Sequence, residues 1–353
     1  MSDRELHIDV LRSVAILFMV EVHAAATITP TNVSATDPLG VFAAAIGGLA
    51  APLFVTISGW GSQRALSRRI DAGASRDILL RWSGLRFGFL FACQLAVNLI
   101  AVHVFRWYTP GVLSLLALCA LLAVPLARLG LSARVGLFAA LSLTPFALSA
   151  LFEMNGNWMD VVTAESGGEW FGLLLVDGTY PLLPWLAFFV LGGIIHDSDA
   201  KTLRSLLVFS FSVSAGALGG ALLTNRAWAL TSGEALLTFF PASSAFIISA
   251  TCGVLVGVAV LQAVEESHLD APWVDGFSQA GRISLTIYLL HFIPLRILHE
   301  MNLPSLSTAV AIGGVLAYAL AWWPLAMLHR RFASGLSLEM LLRSIGDSHE
   351  RDS

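Results

Sequence analysis

Charge is what this chain has least of. Of its 353 residues, 12% are Asp, Glu, Lys or Arg, about half the share expected of a soluble protein, and 56% are hydrophobic. A soluble globular domain is thereby excluded, and the composition is that of an integral membrane protein whose first partner is the lipid bilayer. Cysteine is scarce as well. Cys93, Cys119 and Cys252 all fall in apolar segments, which argues against a disulfide framework or a thiolate metal site and leaves them as small buried residues. The sequence has no glycine-rich phosphate loop of the P-loop or Rossmann kind, no internal repeat, no linker and no second soluble domain. Its net charge of −4 is modest, and its basic residues follow membrane topology, so no nucleic acid is indicated as a partner. His196, Asp197 and Asp199 lie close together, but no further ligand is near in sequence; they read as a solvated loop, and no metal is expected.

What is present is apolar sequence in helix-length runs. About 20 mostly apolar residues suffice to cross a bilayer. Such runs fall at 8–27, 40–60, 86–104, 111–129, 134–152, 180–195, 206–224, 241–264, 283–301 and 308–328. They predict an all-α, polytopic membrane helix bundle of about ten transmembrane helices, with residues 1–335 as a single transmembrane domain and 336–353 as a polar tail. With the N-terminus inside, sixteen of the twenty Lys and Arg residues fall in cytoplasmic loops, among them Arg4, Arg64, Arg68, Arg69, Arg134, Arg282, Arg330 and Arg331. The positive-inside rule therefore places both termini in the cytoplasm, and the expected location is the plasma membrane, multi-pass. Ala24, Ala25 and Ala26 resemble a signal-peptide cleavage site, but a signal core is uninterrupted, and this one carries four ionisable residues; the first helix is expected to be retained.

Those four residues, Asp9, Arg12, Glu21 and His23, mark the first span as the organising element. An ionisable side chain at the bilayer centre costs at least about 2.5 to 3.5 kcal/mol, so such residues face a protein or water cavity. Arg12 and His23 are eleven residues apart, about three helical turns, which leaves them only about 20° apart around the axis and roughly 16 Å apart along it. Asp9 precedes Arg12 by three residues, near enough to pair with it. Glu21 falls on the opposite side.

The arrangement Asp-x-x-Arg, ten residues and a histidine, at the start of a multi-spanning chain resembles the transmembrane acyltransferase superfamily, which includes the acyltransferase-3 and the heparan-alpha-glucosaminide N-acetyltransferase-like proteins. Three further stretches, APLFVTISGW at 51–60, GTYPLLPWLAFFVLGG at 178–193 and GRISLTIYLLH at 281–291, are similar to segments of the second, bacterial branch. Ser13 departs from the pattern, which usually has glycine after the arginine. The resemblance implies a membrane acyltransferase, with acetyl-CoA or another acyl-CoA as co-substrate and a carbohydrate or glycoconjugate as acceptor. It also makes His23, Arg12 and Asp9 the candidate catalytic residues.

Other segments admit two readings each. The basic stretch 63–86 suits topology and anionic lipid, or else Arg81 and Arg86 hold the phosphates of a nucleotide-bearing acyl donor, since guanidinium pairs with phosphate bidentately. Gln94 and Asn98 lie one turn apart in the third span. At the outer end of that span, His103 joins Trp107 and Tyr108, as an interfacial belt or as part of an acceptor site. The acidic segment 153–177 is a solvated loop or a cover for that site, with Asp177 and Tyr180 at the mouth of the sixth span as substrate-binding candidates. Pro181 and Pro184 break that span, which membranes tolerate beside a cavity. Ser284, Tyr288 and His291 share one face of the ninth span, either as a buried polar cluster or as a second wall of the active cavity that contacts the donor.

Taken without the resemblance, Arg12 and His23 suit an enzyme or a secondary transporter or flippase of a small metabolite, because intramembrane charge marks proton relays as readily as catalysis. The missing inverted repeat counts against transport. With the resemblance, the expected activity is acyl transfer, most simply acetyl transfer, from cytoplasmic acyl-CoA to a hydroxyl or amino group of an extracytoplasmic carbohydrate. His23 would serve as general base or as acyl carrier. Tyr288, His291 or Asn98 would serve the developing oxyanion. Assembly into a homo-oligomer is left open.

Overall fold

The computed structural model describes residues 6–28, 38–151, 158–231, 235–268, 272–302 and 306–351. Arg4, Glu153 and most of the external loop at 28–39 lie outside the described residues. The chain is helical almost throughout. In order come α1 (Leu6–Thr27), α2 (Pro38–Asp71), α3 (Arg76–Ile100), α4 (Val112–Ala127), α5 (Leu131–Leu151), α6 (Trp158–Val162), α7 (Gly167–Gly172), a π-helical turn at Leu173–Asp177, α8 (Leu182–Asp197) and α9 (Ala200–Thr224). Two short paired strands, β1 (Ala227–Leu230) and β2 (Ala235–Thr238), precede α10 (Ser244–His268), α11 (Pro272–Arg282), α12 (Ser284–Leu290), α13 (Phe292–Glu300), α14 (Thr308–Phe332) and α15 (Leu338–Arg351).

Among the described residues, six helices are long and apolar enough to cross a membrane, and two bent pairs bring the number to as many as eight. The protein is therefore a multi-pass, all-α membrane protein. Its outward surfaces agree, since α9 alone exposes Val208, Phe209, Phe211, Leu222 and Leu223, a face suited to lipid and costly in water. The expectation of ten spans adds α2 and α4 to these. Of the two, α4 has 16 residues and so is about 24 Å long, short of a hydrocarbon core of about 30 Å.

By compactness the chain divides into two units, Met1–Phe54 with Val256–Ser353, and Val55–Leu255. The first is built around α1, which packs against α11, α12, α13 and α14. Where the family pattern has glycine, the Ser13 hydroxyl donates to the Phe277 carbonyl and accepts from the Gly281 N–H, both at 2.7 Å. The glycine that allows this approach is on the other helix: a Cβ at Gly281 would lie 2.1 Å from the Asp9 carbonyl oxygen. Small-residue contact and an interhelical hydrogen bond are the usual means of joining helices in lipid. Further along, Ala24 of the first helix and Ile28 just beyond it meet Leu295, Ala311 and Val315 in a buried cluster.

In the second unit, two of the stretches that carry the resemblance meet each other. A Cβ at Gly59 would lie 2.0 Å from the Phe189 carbonyl oxygen, and one at Gly192 would lie 2.0 Å from that of Thr56, so α2 and α8 cross backbone to backbone. Near the C-terminal end of α8, Arg134 is 4% exposed and donates to Asp197 at 2.6 Å, to the Gly193 carbonyl at 3.1 Å and to the Leu126 carbonyl at 3.2 Å. Gln63 and His196 also bond Asp197. The expected solvated loop at 196–199 is thus tied down, and Arg134 satisfies carbonyls at two helix ends besides contributing to topology. The broken entry to α8, bent by 42°, borders a cavity of about 230 Å³ walled by Pro145, Pro181, Pro184 and Pro241.

Candidate functional site

Asp9, 6% exposed, lies in the first turn of α1. A buried carboxylate needs a cation, and among the described residues Arg12 Nη1 lies at 3.2 Å and Arg282 Nε at 3.5 Å. Arg282 also reaches Asp275 at 3.0 Å, and Arg330 pairs with the other oxygen of Asp275. The result, among the described residues, is a chain in which guanidiniums and carboxylates alternate from Arg12 to Arg330.

Three helical turns along α1, His23 Nδ1 lies 2.8 Å from His291 Nε2, and the two rings lie end to end, with centroids 5.0 Å apart and 13° between their planes. Phe292 at 4.7 Å and Tyr288 at 6.0 Å also lie against His23. The partner ring is held firmly. His291 is fully buried, its backbone carbonyl accepts from the Tyr318 hydroxyl, and its Nδ1 faces the Ile287 carbonyl at 3.1 Å. Pro294 gives a local reason for the interruption between α12 and α13 here, because it lacks the N–H that would bond the Leu290 carbonyl.

These contacts fix the protons. A carbonyl only accepts, so His291 Nδ1 carries the hydrogen, and with both rings neutral His291 Nε2 is the acceptor. His23 must then donate from Nδ1, which leaves its Nε2 as an unprotonated lone pair. His23 is only partly buried. The arrangement can accept a proton or attack a carbonyl carbon at that atom.

Residues 4–222 match the family model described as heparan-alpha-glucosaminide N-acetyltransferase, catalytic, over more than half of the chain. The chain belongs to this family. It is accordingly a membrane acetyltransferase, and the match includes Asp9, Arg12 and His23, whereas Arg282, Tyr288 and His291 lie beyond its end. No curated protein matches the chain.

Of the residues singled out from sequence, the first unit brings together Asp9 with Arg12, and His23 with Tyr288 and His291. Glu21 and Ser284 are buried in the same unit, whereas Arg81, Arg86, Asn98, His103, Asp177 and Tyr180 lie in the second. Arg81 is exposed near the start of α3, and Arg86 stacks on Trp82 at 4.4 Å, which Arg69 also approaches at 5.5 Å. His103 is in the turn after α3, and Asp177 is exposed at the end of the π-helical turn. Tyr180 packs on Trp185 at 5.0 Å and Phe239 at 5.9 Å. Asn98 is fully buried, with Nδ2 donating to the carbonyls of Trp107 and Thr109 and Oδ1 accepting from Gln94, so it braces a loop and has no hydrogen left for an oxyanion. Sequence reading missed Arg282, Asp275, Arg330 and Tyr318 as neighbours of these candidates. Arg282 is the second residue of the GRISLTIYLLH stretch, which was the available signal; nothing local marks the other three.

Proposed function

We propose that the protein transfers an acetyl group from cytoplasmic acetyl-CoA to a hydroxyl or amino group of a carbohydrate or glycoconjugate presented on the other side of the plasma membrane. The observation that carries this reading is the His23 Nε2 lone pair, set by the hydrogen-bond order from Ile287 through His291. His23 Nε2 takes the proton of the acceptor O–H or N–H as that oxygen or nitrogen bonds to the thioester carbon. Collapse of the tetrahedral intermediate breaks the C–S bond, and the proton on His23 passes to the departing thiolate. Because both ring nitrogens of His291 are engaged, its role is to hold the tautomer of His23, and Tyr288 is the nearer candidate for contact with the acetyl group. Asp9 keeps Arg12 oriented, and the guanidiniums of Arg12, Arg282 and Arg330 are groups suited to the donor's phosphates. Arg81 and Arg86 are retained as further donor contacts, and Asp177, Tyr180 and His103 as acceptor contacts.

The topology goes with this reading: ten spans, both termini cytoplasmic, residues 1–335 acting as one acyltransferase-like domain. The test is acetyl-CoA binding and turnover by detergent-purified protein. His23→Ala is expected to bind acetyl-CoA and lose turnover, and Arg12→Ala to bind it more weakly. A well-folded wild type that binds no acyl-CoA would sink the reading. Exchange of label between acetyl-CoA and free CoA without acceptor would assign the same lone pair to an acetyl-histidine route.

A further inference from the structure

Helix α12 carries Tyr288 and leads directly into His291, yet its own N-terminus is uncapped from within. Ile283, the residue before it, makes no side-chain cap bond and has no polar atom to make one. The first N–H groups of any helix lack intrahelical partners, and burial without a substitute is costly. Here the substitute comes from more than fifty residues downstream. Glu339 Oε1 accepts from the N–H of Leu285 at 2.6 Å and from that of Thr286 at 3.3 Å, and Oε2 accepts from the Thr286 hydroxyl at 2.7 Å. The Thr286 hydroxyl in turn accepts from the Leu338 N–H at 2.9 Å, so the first turns of α12 and α15 are stitched to each other. Both amide-bearing residues are 8% exposed.

We infer that Glu339, in the helix after the last span, is a positioning residue for acetyl transfer: its carboxylate caps α12 and so holds Tyr288 and the His23–His291 pair in register. From the capped amides to His291 is about 9 Å of helix rise, a short rigid lever. At its far end His291 must meet His23 Nδ1 at 2.8 Å, and the same segment is bent by 63° from α11 at Ile283, where helical hydrogen bonding is interrupted. The cap adds a constraint on the α12 side of that bend, as the Gly281–Ser13 bond does on the α11 side. A carboxylate suits the place, because two amide hydrogens and a hydroxyl hydrogen converge there and a charged acceptor at a helix N-terminus is favoured. Leu338 and Glu339, at the start of a segment polar enough to read as a tail, therefore support the transmembrane domain from outside its sequence bounds. This inference rests on the acetyl-transfer reading above.

Full-length wild type, Glu339→Ala and Glu339→Gln are to be compared by hydrogen–deuterium exchange over 284–291 and by steady-state kinetics per folded molecule below the melting temperature. Glu339→Ala is expected to exchange faster at Leu285 and Thr286 and to lose about 10- to 100-fold in kcat with the acetyl-CoA KM little changed, the cost of a misplaced reacting group. Glu339→Gln keeps an oxygen for the two amides and should recover most of the activity. If Glu339→Ala does not fold, Thr286→Val, which removes the hydroxyl between Oε2 and the Leu338 N–H, is expected to lower kcat less steeply, again at constant KM. Unchanged exchange, or faster exchange with kcat intact, would overturn the inference while leaving acetyl transfer standing. A folded wild type without acetyl-CoA turnover would instead overturn the acetyl-transfer reading, and this inference with it.

Discussion

His291 illustrates how much a single proton can decide. Its Nδ1 is committed to the Ile287 carbonyl, so its Nε2 can only accept from His23. Replacing it with alanine frees His23 to adopt the other tautomer, in which Nε2 carries the hydrogen and cannot act as base. His291→Ala is expected to lower kcat by about 100-fold or more, up to the roughly 10⁴-fold seen when a tautomer-holding partner is lost elsewhere, with the acetyl-CoA KM little changed. Gln at the same position offers a carbonyl oxygen to His23 Nδ1 and should retain more; steady-state kinetics of both variants checks the order. Asp9 is the second case. With Arg12 at 3.2 Å and Arg282 at 3.5 Å, Asp9→Asn leaves two guanidiniums facing each other. Since both arginines keep some contact with solvent, the expected loss is about 1 to 3 kcal/mol, below that for a fully buried charge. Thermal unfolding in detergent measures it, and a variant as stable as wild type would show that Asp9 does not hold the arginines together.

Helix pairs in this protein approach wherever one backbone can lie on another. The crossing of α2 and α8 depends on Gly59 and Gly192, where an added Cβ would fall 2.0 Å from a carbonyl oxygen, a distance only backbone movement can relieve. Gly192→Ala should therefore destabilise by about 3 kcal/mol or more, as overpacking of a rigid contact does. Gly216→Ala in α9, where nothing lies within 4 Å, is the control and should be neutral or slightly stabilising, because alanine costs less than glycine in a helix. Melting temperatures of the pair check the contrast, and equal losses in both would remove the crossing as the cause.

Over the whole molecule, the proposed orientation predicts chemistry on each side of the membrane. The native cysteines are all buried, so a single new thiol reports its own position. In intact cells a membrane-impermeant maleimide should label Glu165→Cys and leave Ala72→Cys unlabelled until the membrane is opened; the reverse pattern would invert the topology. At this scale the sequence is least complete. Arg12 and His23 could be placed on one face from helical spacing alone, and Asp9 from its offset of three. Glu339, Arg282 and Tyr318 could not, since each meets its partner across a turn or bend that no local pattern sets. The same holds for Arg134, which reads as one more cytoplasmic arginine and turns out to close two helix ends.

The sequence by itself determined that this is a multi-pass helical membrane protein, that its first helix carries four ionisable residues, His23 among them, and which family it resembles. Composition and a 3.6-residue period are local quantities that burial in lipid makes decisive. Only the tertiary structure decided which ring nitrogen of His23 is free, that Ser13 and Gly281 exchange the expected roles of small and bonding residue, and that Glu339 caps the helix leading to His291. Each of those depends on a hydrogen bond between residues more than fifty positions apart, and such a bond exists only once the helices between them have packed.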